Sequence, residues 1–199
     1  MQHLSAVQPL ADADLWKQVQ EGDSAAFDAL VLRFYRMLFH YGSKFSDDEE
    51  FVKDCLQDLF VDVWQRRERL SSTQFVRQYL LKALRHRIFQ ETRRPLTRLI
   101  ERSFSVEGYA FRIEFSVEDD LILAEATQEQ VARLNRALLR LSPRQREAIY
   151  LKFYQNLSTD ELTAVMGLQE QSLRNLLHEA ILALRKQMLL SVLVALAGG

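Results

Sequence analysis

The segment from Leu141 to Gln187, LSPRQREAIYLKFYQNLSTDELTAVMGLQEQSLRNLLHEAILALRKQ, constrains the chain most, because it holds three helix starts in under fifty residues. Ser142-Pro143-Arg144-Gln145 offers an N-cap serine, a proline where no backbone donor is needed, and a glutamine able to reach back to the cap. The helix it starts has Ile149 and Phe153 on its apolar side, with Tyr150 and Leu151 as further candidates, and stops near Gln155-Asn156, where asparagine tolerates a left-handed turn. Ser158-Thr159-Asp160-Glu161 repeats the device, with two acids in the first turn where the helix dipole favours them. Leu162, Val165 and Met166 form one apolar stripe, Gly167 supplies a positive φ, and Leu168 plugs the angle that follows. The third helix buries Leu173, Leu176, Leu177, Ala180, Ile181 and Leu184 at three-four spacing. Two helices joined by so short a turn predict a helix-turn-helix. Outward near the start of the third helix stand Gln171, Ser172, Arg174, Asn175 and His178, hydrogen-bonding side chains of the kind that read base edges in a major groove. A solvated helical bundle would also carry an outward polar face. The tight turn and the paired caps favour nucleic acid.

The rest of the composition agrees with an almost wholly helical chain. Its 199 residues allow one or two domains, 48% of them are hydrophobic, and only six glycines and three prolines interrupt long three-four periodic runs. Neither GxGxxG nor GxxxxGK[ST] occurs, which argues against a nucleotide-hydrolysing enzyme. The formal net charge of −1 hides a strong pattern. Arg85 to Arg102 carries six arginines against two acids, Glu107 to Glu129 seven acids against one arginine, and Arg133 to Lys152 six bases against one acid. Cys55 is the sole cysteine, so no intrachain disulfide forms, and it reads as a small core residue. Four dispersed histidines and one cysteine make no metal or nucleophile constellation, so neither cofactor, metal site nor catalytic residue is expected. Charges break the first thirty residues, and the apolar run Met188 to Ala197 falls short of the roughly 20 residues needed to span a bilayer. No membrane insertion and a cytoplasmic location are expected.

From the start, Asp12 to Gln20 predicts a short helix burying Leu15, Trp16 and Val19, ended by Gly22. Asp23 or Ser24 then caps a helix to about Phe39 with the stripe Phe27, Leu30, Val31, Phe34 and Leu38. Asp47-Asp48-Glu49-Glu50 leads into a helix from Phe51 to about Leu70 that buries Val52, Leu56, Leu59, Phe60 and Val63. Its Asp54, Asp58 and Asp62 form an acidic stripe at four-residue spacing, a few tenths of a kcal/mol unfavourable per pair. Such a stripe either meets a basic partner or is a solvated face softened by Arg66 and Arg67. After a polar break at Ser71 to Gln74, one helix from Phe75 to about Arg94 buries Val76, Tyr79 or Leu80, Ala83, Leu84 and Ile88. Its other face mixes Arg77, Lys82, Arg85, His86 and Arg93 with Tyr79 and Phe89, and bases interleaved with rings suit single-stranded nucleic acid. Leu96 to Glu129 reads as a linker with an extended fragment at Tyr109 to Val117, and a helix from about Leu121 to Leu141 follows it.

Two stretches then resemble one family. Asp54-Cys55-Leu56-Gln57-Asp58-Leu59-Phe60-Val61-Asp62-Val63-Trp64 is similar to the D-x-x-Q-(D/E)-x-F-x-x-x-W signature in the second region of bacterial RNA polymerase sigma factors, and Leu141 to Lys186 resembles their fourth region. Order, spacing and small size match the extracytoplasmic-function type. The string QSLRNLLHEA is also similar to recognition helices of such factors from the Bacteroidetes group. The resemblance implies an all-α chain of two small helical domains, with the second region at 12–95, an acidic linker at 96–130, the fourth region at 131–190 and an apolar tail at 191–199. It implies core RNA polymerase and promoter DNA as partners, an anti-sigma factor as a candidate third, and no small-molecule substrate. Asp54, Gln57, Asp58, Phe60 and Trp64 would dock the clamp helices of the polymerase largest subunit. Tyr79, Lys82, Arg85, His86, Phe89 and Arg93 would capture the minus-ten element, and Gln171, Ser172, Arg174, Asn175 and His178 the minus-thirty-five element. The chain departs from the family at His86, Gln90, Leu176 and Glu179; the last two replace frequent arginines, which weakens DNA affinity and its salt dependence. A free-standing helix-turn-helix regulator and a degenerate sigma-like adaptor are the alternative readings.

Overall fold

The computed structural model describes residues 10–93, 110–113 and 128–197. They divide into two compact units, one holding 10–43 and 48–93, the other 44–47, 110–113 and 128–197. Among the described residues the regular elements are all helices.

In the first unit, α1 (Asp12–Gln20) buries Leu15, Trp16 and Val19, and Gly22 turns the chain at φ 91°. Asp23 caps α2 (Ser24–Gly42), its carboxylate accepting from the backbone N–H groups of Ala25 and Ala26. Asp48 caps α3 (Glu49–Gln65) by accepting from Phe51 N–H, and Glu49 and Glu50 fill the first turn. This helix stops short of Leu70, and a 3-10 turn at Arg67–Arg69 follows. The Arg67 guanidinium donates to the Trp64 carbonyl at 2.8 Å, capturing one of the acceptors a helix end leaves open. α4 (Val76–Arg93) closes the unit with Val76, Leu80, Leu81, Leu84 and Ile88 inside. Leu80 takes the core position that Tyr79 was an alternative for, while Ala83 is only half-buried. The Trp16 indole N–H donates to the Ser71 carbonyl, tying α1 to the polar break before α4.

Gly42, the last residue of α2, lies against α3, and a Cβ there would stand 2.7 Å from Val52 Cγ1. Gly42→Ala should therefore destabilise the chain by about 1–3 kcal/mol through overpacking, less the roughly 1 kcal/mol that alanine gains in a helix. Calorimetry reads this as a lowered melting temperature. An unchanged or raised value would show that Val52 moves aside freely.

The second unit contains α5 (Gln128–Leu138), α6 (Pro143–Ile149), a π turn (Tyr150–Tyr154), α7 (Thr159–Met166) and α8 (Glu170–Ala197). The predicted helix from Leu121 begins outside the described residues. Both capping boxes form: Ser142 and Gln145 exchange hydrogen bonds at the start of α6, as do Ser158 and Glu161 at the start of α7. Helix α8 packs against α5, α6 and α7. Within this unit Phe111 is fully buried, edge-on to Phe45 at 4.9 Å and to Tyr150 at 5.7 Å. Thus Phe111 and Ile113, in the stretch read as a linker, are core residues and not solvated chain.

Phe153 departs from expectation and is 57% exposed. Four residues after Ile149 it would share that residue's side in an α-helix, but the Gln155 N–H donates to the Tyr150 carbonyl in an i→i+5 bond. The wider turn advances the register, so Tyr150 and Leu151 go in and Phe153 goes out. Asn156 then takes φ 51° as its residue type allows.

Candidate functional site

Helix α3 divides two surfaces. On its α2 side Phe27 lies 5.0 Å from the Trp64 ring and 6.4 Å from Phe60, and the Arg67 guanidinium sits 4.6 Å over Trp64. These rings, with Val31, Tyr35 and Val61, line an open apolar groove of about 520 Å³, edged by Lys53 and Gln57. Phe27 and Val31, expected in the core, are half-buried walls of this groove. On the α4 side stand Asp54 and Asp58, both exposed, with Asp62 one turn on. The five residues expected to dock polymerase therefore do not form one patch of one character. Phe60 is 6% exposed and serves mostly as groove floor, Trp64 is a half-buried wall, Gln57 stands between, and Asp54 and Asp58 face the other way.

At 3.6 residues per turn, Tyr79, Lys82, His86, Phe89 and Arg93 fall on one face of α4. Lys82 and His86 are exposed; the Arg93 side chain lies outside the described residues. Tyr79 is 37% exposed and edge-on to Trp16 at 5.1 Å, and partial burial raises its phenol pKa. Arg85 stands at the edge of this face, four residues before Phe89, and its guanidinium lies 4.5 Å over the Phe89 ring, so one side of that ring is already occupied. Between α3 and α4 is a cavity of about 270 Å³ whose polar walls are Asp62, Arg66, Tyr79, His86, Arg87 and Gln90. The sequence reading missed Arg87 as a site residue. Its signal was positional: it falls at the edge of the apolar stripe that continues from Val76 and Leu80, where a cation needs an acid on the neighbouring helix.

In the second unit, Gly167 ends α7 at φ 63° and α8 starts three residues later. Leu173 and Ala180 anchor α8 in the core, while Leu176, Leu177, Ile181 and Leu184 are half-buried and not enclosed as expected, because α8 is covered on one side only. Gln171, Ser172, Arg174, Asn175 and His178 are all exposed along its outer face. Three of these five candidates are held by internal contacts: the Gln171 amide donates to Asn175 Oδ1 at 2.9 Å, and Arg174 pairs with Glu170. Among the described residues no group of three histidine, cysteine or acidic side chains could hold a metal ion, and no helix is long and apolar enough to cross a membrane.

Comparison with known families gives two matches in chain order. Residues 30–98 match sigma-70 region 2 and residues 132–184 match sigma-70, region 4, together more than half the chain. The chain belongs to the sigma-70 family. Among curated proteins, this sigma factor is 27% identical over 169 residues to the ECF RNA polymerase sigma factor SigL of Mycobacterium tuberculosis, covering 82% of this chain and 92% of that one. It is 26% identical over 167 residues to the RNA polymerase sigma factor NccH of Alcaligenes xylosoxydans xylosoxydans, covering 80% and 84%. Its fold is similar to that of CnrH in complex with the cytosolic domain of CnrY (22% identity, 90% of this chain and 97% of that one, TM-score 0.59). It is also similar to RpoE in complex with the anti-sigma factor NepR from Bartonella quintana (19% identity, 81% and 96%, TM-score 0.58). The protein is a sigma factor of the extracytoplasmic-function type, a transcription initiation factor that binds core RNA polymerase and directs it to promoters.

Proposed function

We propose a residue-level division of labour for this sigma factor, with the chain laid out as second region (12–95), linker (96–130), fourth region (131–190) and tail (191–199). The observation that carries it is the two-sidedness of α3, with an aromatic groove toward α2 and a polar cavity shared with α4. The groove wall Trp64 and its floor Phe60, with Gln57, Asp54 and Asp58, receive core polymerase. Lys82 and His86 follow the minus-ten strand across α4, with Tyr79 at the cavity mouth and Arg85, Phe89 and Arg93 along the same helix. An unstacked base enters the cavity, where Asp62, His86 and Gln90 offer hydrogen-bonding atoms. Gln171, Ser172, Arg174, Asn175 and His178 meet the minus-thirty-five element in the major groove. Arg174 must leave Glu170 to reach a phosphate, and Leu176 and Glu179 supply no cation, so this second contact is the weaker one. The Bacteroidetes-like character of this helix rests on the string QSLRNLLHEA alone. The factor acts in the cytoplasm, performs no chemistry of its own, and CnrH and RpoE with their bound partners support an anti-sigma factor as a further ligand.

The test is run-off transcription by core polymerase on fragmented genomic DNA, with and without the factor, read by sequencing the starts. Factor-dependent starts that share a two-part upstream motif are expected. Stable association with core but no dependent starts would favour the adaptor reading, to which the held Arg174 gives a physical basis. Lys82→Ala should lower open-complex formation about three- to tenfold at low salt, with the loss shrinking as salt rises because one phosphate contact fewer makes the salt dependence shallower; an unchanged rate would remove α4 from the minus-ten contact.

A further inference from the structure

The acidic stripe on α3 is not open along its length. Arg87 crosses from α4 and donates to Asp58 at 3.1 Å and, more closely, to Asp62. Its side chain is only 20% exposed, against 59% for Asp58 and 38% for Asp62. Two carboxylates one helical turn apart repel each other, and a guanidinium placed between them turns that repulsion into attraction. Asp62 also lies 3.9 Å from Arg66 on its own helix. Arg87 is next in sequence to His86 and forms part of the same cavity wall. The cation best placed to meet a strand entering that cavity is thus engaged by acids in the free chain. One of those acids, Asp58, is the more exposed and lies on the face offered to polymerase.

We infer that Asp58, Asp62 and Arg87 form a latch that withholds Arg87 from the nucleic-acid backbone until a cation of the polymerase draws Asp58 away. The Asp58 end of the cluster is the exposed one, and an ion pair open to water at its carboxylate is shallow and easily exchanged for another, which suits a contact that must open on docking. The inference rests on α4 being the promoter-strand face. It gives the acidic stripe a role in keeping the free factor off stray single strands, beyond its role in docking.

The test is fluorescence anisotropy of the full-length free chain with a mixed-sequence single-stranded oligonucleotide across a salt series. Asp58→Asn combined with Asp62→Asn keeps the shapes and frees Arg87 for one more phosphate. The slope of log affinity against log salt should then steepen by about 0.7, which corresponds to about fivefold tighter binding at about 0.1 M salt. Asp54→Asn removes one charge from the same stripe without touching Arg87, matching Asp58→Asn alone in charge, and should leave the slope unchanged. Adding Arg87→Met to the double variant should abolish the gain. An equal gain in Asp54→Asn, or a gain that survives Arg87→Met, overturns the latch in favour of a general charge effect. If the double variant fails to fold by circular dichroism, Asp58→Asn alone decides by the same comparison with Asp54→Asn. Lys82→Ala separates the two readings. An unchanged slope there overturns the promoter face and the latch together, whereas a shallower slope there with no change in the aspartate variants overturns the latch alone.

Discussion

Trp64→Ala is expected to weaken binding to core RNA polymerase by about 30-fold or more while leaving the helices folded. The Trp64 ring is half-buried and touched by both the Phe27 ring and the Arg67 guanidinium, so it is presented in a fixed orientation at the groove edge. A pre-ordered indole that loses its remaining water on docking is the commonest kind of binding hot spot, worth about 2 kcal/mol or more, and 2 kcal/mol is close to 30-fold. Titration of labelled factor with core polymerase measures the loss, and circular dichroism checks the fold. The charge probe needs more care. Asp58→Arg would place a second cation against Arg87 and break an internal pair, so a loss of binding would have two causes. Asp54→Arg tests the acidic side of α3 without that pair. Full affinity for Trp64→Ala together with loss for Asp54→Arg would move the docking surface from the groove to the acids.

The split character of α3 shows where sequence stops being informative. Start and stop signals are local chemistry, so Asp23, Ser142, Ser158 and Gly167 act where they were read. Core residues such as Leu30, Leu56 and Leu84 follow from periodicity, because an apolar stripe must be covered. Periodicity does not say what covers it. Phe27 and Val31 belong to the stripe of α2 but reach past the packed layer into an open groove, and nothing local distinguishes them from Leu30. The π turn at Tyr150–Tyr154 was illegible for a related reason. Its extra residue is accommodated by tertiary contacts, including burial of Tyr150, whose hydroxyl meets the Gln155 amide at 3.0 Å. The candidate site was legible as a list of α4 cations and rings; its internal neutralisation, Arg87 by Asp58 and Asp62 and Arg174 by Glu170, needed coordinates.

Cys55 gives the largest expected effect in the chain. Its thiol is 1% exposed on the inner side of α3, and burial first, then the carboxylate of Glu91, push its pKa from 9.0 up to about 12, with Arg87 pulling the other way. Since the thiolate is the nucleophile, the native thiol should be alkylated at about pH 8 roughly 1,000-fold more slowly than the same thiol in denaturant. The sign of the stability effect follows. Below about pH 9 the thiol is protonated in both states and contributes no pH dependence. Between about pH 9 and 12 the unfolded chain loses this proton first, so stability falls by at most about 1.4 kcal/mol per pH unit. Denaturant unfolding of the wild type and Cys55→Ala at about pH 8 and 10 isolates this contribution, since only the wild type should lose it. Cys55 also lies three residues before Asp58, just under one helical turn, on the helix whose acids hold Arg87. Alkylation within tenfold of the denatured rate would mean that α3 lifts from the core within the reaction time, and a surface so mobile could not present Trp64 and Asp54 in fixed positions.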